Sequence, residues 1–368
     1  MVIIAGSRRI RRTPFSDGVE AFGVKGYTVY NHMLLPTVFR SVEEDYHHLK
    51  SAVQVWDVAV ERQVEIRGPD AARLMQMLTP RDLRAMQPGM CYYVPMVDET
   101  GGMLNDPVAV MIAEDRYWVS IADSDLLFWV KGLAYGLRLD VLVDEPDVSP
   151  LAIQGPKADE LAARVFGDKV KDLKFFRFGR FDFMGQDMIV ARSGYSKQGG
   201  FEVYVEGGKN GMPLWNALME AGKDLDVHAG CPNVIERIEG GLLSYGNDMT
   251  RDNTPHEAGL GRFCSTETAI GCVGRDALLR VSKEGPVKQI RGLRIEGSVP
   301  PCDRAWPIMD ADGQYQIGAV TSAAWSPDFE TNVAIGMVRM THWDPRTDVD
   351  VVTQAGVFPA VVQETFWI

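Results

Sequence analysis

Nothing in the 368 residues resembles a membrane span, because no apolar run approaches the about 18 residues that crossing a bilayer requires. A basic excess is also missing. Lys and Arg number 38 against 50 Asp and Glu, a formal charge of −12 with a pI near 5.1. A nucleic-acid partner is therefore not expected, since phosphate binding needs a concentrated basic surface. Cysteine is scarce: Cys91, Cys231, Cys264, Cys272 and Cys302 are odd in number and form no C-x-x-C pair. That pattern excludes a disulfide framework or a zinc ribbon and fits reduced thiols in a cytoplasmic protein. Histidine is equally sparse. His47 and His48 are adjacent, so they face different sides of a helix, and no H-E-x-x-H occurs. No metal centre is expected. A G-x-G-x-x-G after a strand and a G-x-x-x-x-G-K-[ST] are both absent, which removes the main support for dinucleotide and P-loop readings. The opening MVIIAG is too short for a leader core and precedes the arginines, the reverse of leader order. Arg8, Arg9, Arg11 and Arg12 read as a flexible solvated arm rather than an anion site.

What is present is an ordinary globular composition, 46% hydrophobic and 24% charged. The length exceeds one usual core, so two or three packed units are expected. Ser41 followed by Glu44 is a capping-box pattern opening a helix to about Ala52. After a strand at Gln63–Ile66, Gly68-Pro69-Asp70-Ala71 opens a helix with Ala71, Leu74, Met75 and Leu78 on one face. The same phrase returns after Leu151–Ile153 as Gly155-Pro156-Lys157-Ala158, with Ala158, Leu161, Ala162 and Val165 aligned. The recurrence suggests two similar α+β subunits. Short strands at Tyr117–Ile121, Met188–Arg192 and Phe201–Val205 are separated by Gly-rich turns that suit antiparallel pairing. Helices are expected at Met212–Ala221, stopped by Gly222, and at Val234–Tyr245. Beyond Gly285-Pro286 short β runs at Gln289–Ile295, Tyr315–Ser322, Val333–Val338 and Val349–Thr353 indicate a small barrel or sandwich. The expected division is residues 1–285, holding two interleaved α+β subdomains, and a β-barrel over 286–368.

The stretch MCYYVPMVDETGGMLNDP, from Met90 to Pro107, carries the most functional information. Two tyrosines lead into a Gly101–Gly102 turn, which delivers Asn105 and Asp106 ahead of the apolar run Val108–Ile112. A carboxylate buried after a tight turn is costly unless a polar group meets it. Ring nitrogens of a cofactor would serve. An Asx-type turn in which Asp106 bonds only backbone would serve equally.

With these positions assembled, the chain resembles the glycine-cleavage T-protein family of folate-dependent one-carbon transferases. The likeness runs over nearly the full length through VWDVAVERQVEIRGPDA, GGMLNDPVAV, LAIQGPKA, GGFEVYV, IERIEGGLLSYGNDM, TPHEAGL and IGAVTSAAWSP. Further phrases, GVKGYTVYNHMLLPTVF, DYHHLKSAVQVWDVA, KFFRF, ARSGYSKQGGFEVYVE and GCPNVIERIEGGLLSYGND, are similar to the dimethylsulfoniopropionate demethylases within that family. The resemblance implies a three-domain ring of α+β class that binds tetrahydrofolate. By motif position it implies that Asp106 stands beside the reacting pterin nitrogen and that Glu202 grips the amino-pyrimidine edge. A carboxylate can accept two parallel hydrogen bonds there. On the residues alone, Glu202 reads as a solvated strand position opposite Phe201, Val203 and Val205. Tyr93, Gln154, Tyr204 and Arg237 are further lining candidates, although Arg237 can instead pair with an acid such as Glu236 or Glu239.

The implied reaction moves a methyl group from a sulfonium to N-5 of tetrahydrofolate. A neutral thioether leaves, so neither acid nor metal is required at sulfur. Catalysis then rests on alignment, with Asp106 stabilising arriving positive charge and taking up a proton. An aromatic cage for the cation would draw on Tyr30, Tyr93, Tyr195 and Tyr204, each ring worth about 0.5–2 kcal/mol. Lys25, Ser196 and Lys197 are candidates for the substrate's carboxylate. Tyr30 and Tyr93 can equally be ordinary core aromatics, and Lys197 a solvated loop charge. The likeness departs at Tyr195, where the demethylase pattern has tryptophan; that puts the identity of the methyl donor in question more than folate use. Two alternatives stand beside this reading: an aminomethyltransferase acting on a lipoyl carrier protein, and a folate-binding module without catalysis. The expected partner is a small methylated cation, and a homodimer is compatible with it.

Overall fold

The computed structural model describes residues 6–268 and 270–368; residues 1–5, most of the MVIIAG opening, lie outside the described residues. The chain divides into two compact units. The first takes the stretches up to Ala71, Met86–Tyr92 and Val108–Asn233, and the second takes Ala72–Ala85, Tyr93–Pro107 and Val234–Ile368. Helices and mostly antiparallel strands mix in the N-terminal portion, and the C-terminal strands form a closed barrel.

The first unit is built on a six-stranded sheet ordered Phe178–Phe183, Gln186–Ala191, Gly200–Glu206, Val148–Gln154, Val53–Asp57 and Val227–Gly230. Only the last pair, Val227–Gly230 on Val53–Asp57, is parallel. The helices Ala158–Phe166 and Gly211–Ala221 bury Leu161, Ala162, Leu214, Trp215 and Leu218 against Val53, Ile153, Phe201 and Val203. Gly222 ends the second of these helices as expected. Ser41 caps the helix Val42–Ser51, its side chain accepting the Glu44 N–H at 3.1 Å.

The repeated G-P-x-A phrase is one local device used twice. Gly68 follows the strand Gln63–Arg67 with φ 133°, and a Cβ there would lie 2.6 Å from the Asp140 carbonyl oxygen. Gly155 follows Val148–Gln154 with φ 125°, and a Cβ there would lie 2.5 Å from the Ala52 carbonyl oxygen. Both positions need glycine, for conformation and for close approach. In each, the alanine three residues on donates its N–H to the glycine carbonyl at 3.0 Å and starts a helix.

In the second unit, six antiparallel strands close a barrel in the order Lys288–Ile295, Thr331–Arg339, Gln316–Ser326, Trp306–Asp310, Asp348–Thr353 and Gly356–Val362. Closure removes every free edge. Leu293, Trp306, Ile308, Val320, Val338 and Val351 fill the interior.

Two expectations need correction. The helix foreseen over Val234–Tyr245 spans only Val234–Glu239. Gly240 and Gly241 weaken helical continuation, Gly241 takes φ 61°, and a Cβ there would meet the Phe366 ring at 2.3 Å. The arginine cluster, though exposed, is a free arm only in part. Arg11 pairs with Glu145 at 2.7 Å, and Arg12 pairs with Asp17 at 2.8 Å and Glu20 at 2.7 Å. Among the described residues, no helix is long and apolar enough to cross a membrane.

Candidate functional site

In the second unit the tight turn before Asp106 is held from several sides. Asp98 accepts the Thr100 N–H at 2.9 Å, the Thr100 hydroxyl at 2.6 Å and the Gly102 N–H at 3.0 Å. Arg251 adds a charged donor to Asp98 at 2.6 Å. Burial alone would raise the Asp98 carboxyl, but the bonds from Thr100, Arg251 and Gly102 hold it below its ordinary value. Gly102 is obligatory here, since a Cβ would lie 2.3 Å from the Arg251 carbonyl oxygen. The next residue, Met103, donates its N–H to Asn253 at 2.9 Å and accepts the Tyr245 hydroxyl at 2.9 Å. The turn therefore delivers Asp106 from a fixed frame.

Asp106 is half-buried, and its Oδ2 accepts the Tyr93 hydroxyl at 2.7 Å. Burial pushes its carboxyl up from 3.8 to about 7, and the nearby charge of Asp248 adds to the rise. The Tyr93 hydroxyl and the residue's own backbone N–H oppose it. The Asx-type reading holds only in part, because the aspartate uses a local backbone bond and also answers to the side chain of Tyr93. A carboxyl near neutrality can hold or release a proton at working pH. Tyr93 is itself half-buried, with its ring edge-on to Phe263 at 5.3 Å.

Arg237 sits almost wholly buried on the short helix Val234–Glu239. It pairs with Asp248 at 2.8 Å, an acid eleven residues further along the chain. It also donates to the Ser322 hydroxyl at 2.6 Å and the Leu242 carbonyl at 3.2 Å. Asp248 further accepts the Ser244 N–H at 2.9 Å and the hydroxyls of Thr321 at 2.8 Å and Ser322 at 2.6 Å. Arg237 thus ties the helix to the loop 244–248 and the barrel strand Gln316–Ser326. The phrase LLSYGNDM contained Asp248, but its role appears only once helix, loop and barrel are assembled.

In the first unit Glu202 lies on the sheet strand Gly200–Glu206, flanked by Ala191 and Ala152. Residues 200–205 are all buried, so the solvated-strand reading of Glu202 fails. Alternation marks one wet face only at a sheet surface, and this strand is covered on both. Glu202 is 8% exposed and accepts a short hydrogen bond from the Ser193 hydroxyl. Burial raises its carboxyl above the ordinary value, and Ser193 opposes the rise. Tyr204 stands on the same face two residues on, in the packed cluster of Cys91, Trp118, Val148 and Ile189. Its hydroxyl is pushed well above the ordinary tyrosine range by burial and by the nearness of Glu202 and Cys91.

Gln154 is completely buried, and its amide serves the chain's own backbone and loop. It donates to the carbonyls of Ile153 and Ser193 at 3.2 Å and accepts the Ser196 hydroxyl at 2.7 Å. Of the remaining candidates, Tyr30 and Tyr195 are half-buried and Lys197 is exposed. Tyr93 packs against the cluster of Val97, Met103 and Leu260, in keeping with the core alternative for that ring. Lys25 donates to the Arg40 carbonyl at 2.7 Å. Sequence reasoning missed Ser193, Asp248 and Asp57. Asp57 is buried, accepts the Thr13 hydroxyl at 2.5 Å and the Ala59 N–H at 3.2 Å, and is pushed up by burial to about 6.

The residues present fit a reduced pterin. Glu202 is a buried carboxylate with one oxygen engaged by Ser193, leaving acceptor capacity suited to an amino-pyrimidine edge. Asp106 carries a near-neutral carboxyl suited to a nitrogen that loses a proton.

Comparison with known proteins gives two family matches. Residues 15–268 match the GCVT N-terminal domain, and residues 288–367 match the glycine cleavage T-protein C-terminal barrel domain. A dimethylsulfoniopropionate demethylase of Ruegeria pomeroyi is 61% identical over 367 residues, covering 100% of both chains. An aminomethyltransferase of Symbiobacterium thermophilum is 29% identical, covering 97% of this chain and 96% of its own. The crystal structure of aminomethyltransferase T from Bartonella henselae shares the fold with a TM-score of 0.86, at 23% identity and 98% coverage of each chain.

Proposed function

The chain belongs to the glycine cleavage T-protein family, and we propose that it is a tetrahydrofolate-dependent demethylase of dimethylsulfoniopropionate. The observation that carries this reading is the 61% identity to a demethylase of that substrate across the whole of both chains. The products are methylthiopropionate and 5-methyltetrahydrofolate. The carbon–sulfur bond breaks with its electron pair going to sulfur, the methyl carbon bonds to nitrogen, and one proton is released. When bound, tetrahydrofolate supplies the N-5 nitrogen that accepts the methyl group.

The chain's own residues then have limited work, because the leaving group is neutral. In the first unit Glu202 holds the amino-pyrimidine edge, oriented by Ser193, and Tyr204 walls the same face. In the second unit Asp106 favours positive charge at nitrogen and takes up the released proton, for which a carboxyl near 7 is well matched. Tyr93 keeps Asp106 in place through its hydroxyl. Tyr195 and Tyr30 are the rings with exposed surface for the cation, and such rings favour a charged substrate over a neutral thioether product. Lys197, exposed on the loop after Tyr195, suits the substrate's carboxylate. Gln154 and Arg237 support this arrangement through their bonds to the protein.

The test is incubation of the purified chain with tetrahydrofolate and dimethylsulfoniopropionate, with no carrier protein added. Methylthiopropionate and 5-methyltetrahydrofolate should form in equal amounts. Turnover only when a lipoyl carrier protein is supplied would favour the aminomethyltransferase reading, and folate binding without either reaction would favour a binding module.

A further inference from the structure

The loop 193–199, which carries Tyr195, is fastened at two points that belong to different tasks. At its start the Ser193 hydroxyl donates to the Glu202 carboxylate. Past Tyr195 the Ser196 hydroxyl donates to the amide oxygen of Gln154 at 2.7 Å. The Gln154 amide nitrogen returns to the Ser193 carbonyl at 3.2 Å, so one buried side chain holds both ends of the span 193–196. The fit is close. A Cβ on Gly194 would lie 2.1 Å from the Gln154 amide nitrogen, and one on Gly200 would lie 2.7 Å from it. The two glycines let the loop wrap the amide at a separation no side chain would permit. Gly155 adds a backbone tie, donating its N–H to the Gly199 carbonyl at 3.1 Å.

We propose that Ser193, Ser196 and Gln154 are positioning residues that make the loop a mechanical link between the carboxylate that grips folate and the aromatic ring that receives the methylated cation. The inference rests on the roles given above to Glu202 and Tyr195. A ring on an unfastened loop would lose rotational freedom on meeting substrate, whereas a ring fastened through Gln154 has lost it already. Because Ser193 bonds Glu202 directly, settling of that carboxylate onto its ligand is transmitted to the loop's first residue. The consequence is cation affinity that improves when folate is bound.

The experiment compares Ser196→Ala and Ser193→Ala with the unaltered chain, reading tetrahydrofolate Kd by calorimetry and KM and kcat for dimethylsulfoniopropionate. Ser196→Ala loosens only the far fastening. It should raise KM for the cation about fivefold, the weight of one hydrogen bond, while folate Kd stays at the parental value. Ser193→Ala removes the tie to Glu202 and should raise both folate Kd and cation KM. Ser196→Thr, which keeps the hydroxyl, should restore the KM. A Ser196→Ala variant with unaltered KM, or one whose folate Kd rises in step with KM, overturns the link. Glu202→Ala separates this outcome from failure of the underlying assignment. If folate still binds that variant normally, the folate seat is wrong; if Glu202→Ala loses folate while Ser196→Ala is silent, only the loop link falls.

Discussion

The Tyr93 hydroxyl donates to Asp106 Oδ2 at 2.7 Å, joining two residues thirteen positions apart in the second unit. That bond opposes the burial that lifts the Asp106 carboxyl to about 7. Its effect is to keep the carboxylate form available near neutral pH.

Tyr93→Phe should therefore move the acid limb of the pH–rate profile upward. Without the donor, burial acts with less opposition and Asp106 holds its proton to higher pH. The variant should lose most activity near pH 6.5 and recover toward the parent rate above pH 8, by roughly the one to two pH units that a charge-assisted bond is worth. A loss uniform in pH would show that Tyr93 acts otherwise.

Asp106→Ala should lower kcat by at least about tenfold, the scale of a positioned proton acceptor. Folate binding, measured by calorimetry, should change little, because the grip is assigned to Glu202. Unchanged turnover would remove Asp106 from the mechanism.

Arg237→Ala should act on stability. It strands the buried Asp248 carboxylate, and losing one partner of a buried ion pair costs about 3–5 kcal/mol. A clear fall in Tm is expected, and replacing Asp248 by Asn in the same chain should recover part of it. A variant with parental Tm but no folate affinity would return Arg237 to the ligand.

Asp57 makes a pH prediction about folding. Its carboxyl is raised from 3.8 to about 6 by burial, against the Thr13 and Ala59 bonds. A raised folded value means the folded chain binds the extra proton. The stabilisation is complete below the unfolded value and is lost as pH rises through about 6. Asp57→Asn should consequently gain stability relative to the parent as pH climbs from about 4 to 7, read as Tm at each pH. A difference independent of pH would show that Asp57 does not titrate there.

Much of the local structure was legible from residue order. The Ser41 cap, the two G-P-x-A helix starts and the Gly101–Gly102 turn ahead of Asp106 depend on neighbours a few positions away, and short-range sterics decide them. Glycine at 68 and 155 answers first to a local positive φ, and tertiary packing then adds the close approach of the Asp140 and Ala52 carbonyls. The β runs after Gly285 announced strands, but barrel rather than sandwich depended on which edges met, and that is a long-range pairing.

Other features were decided only in three dimensions. Glu202 looked solvated because alternation reports one face of a strand, and here both faces are covered. Residue order offered Arg237 only the neighbouring acids Glu236 and Glu239, and folding adds Asp248, brought by a loop that two glycines freed from the helix. The acidity of Asp106 and Asp57 was likewise invisible in the residue order, because it is set by exclusion of water. Propensity, turn chemistry and composition are written into the chain itself. Burial, and every charge property that follows from it, exists only once distant segments have closed over a side chain.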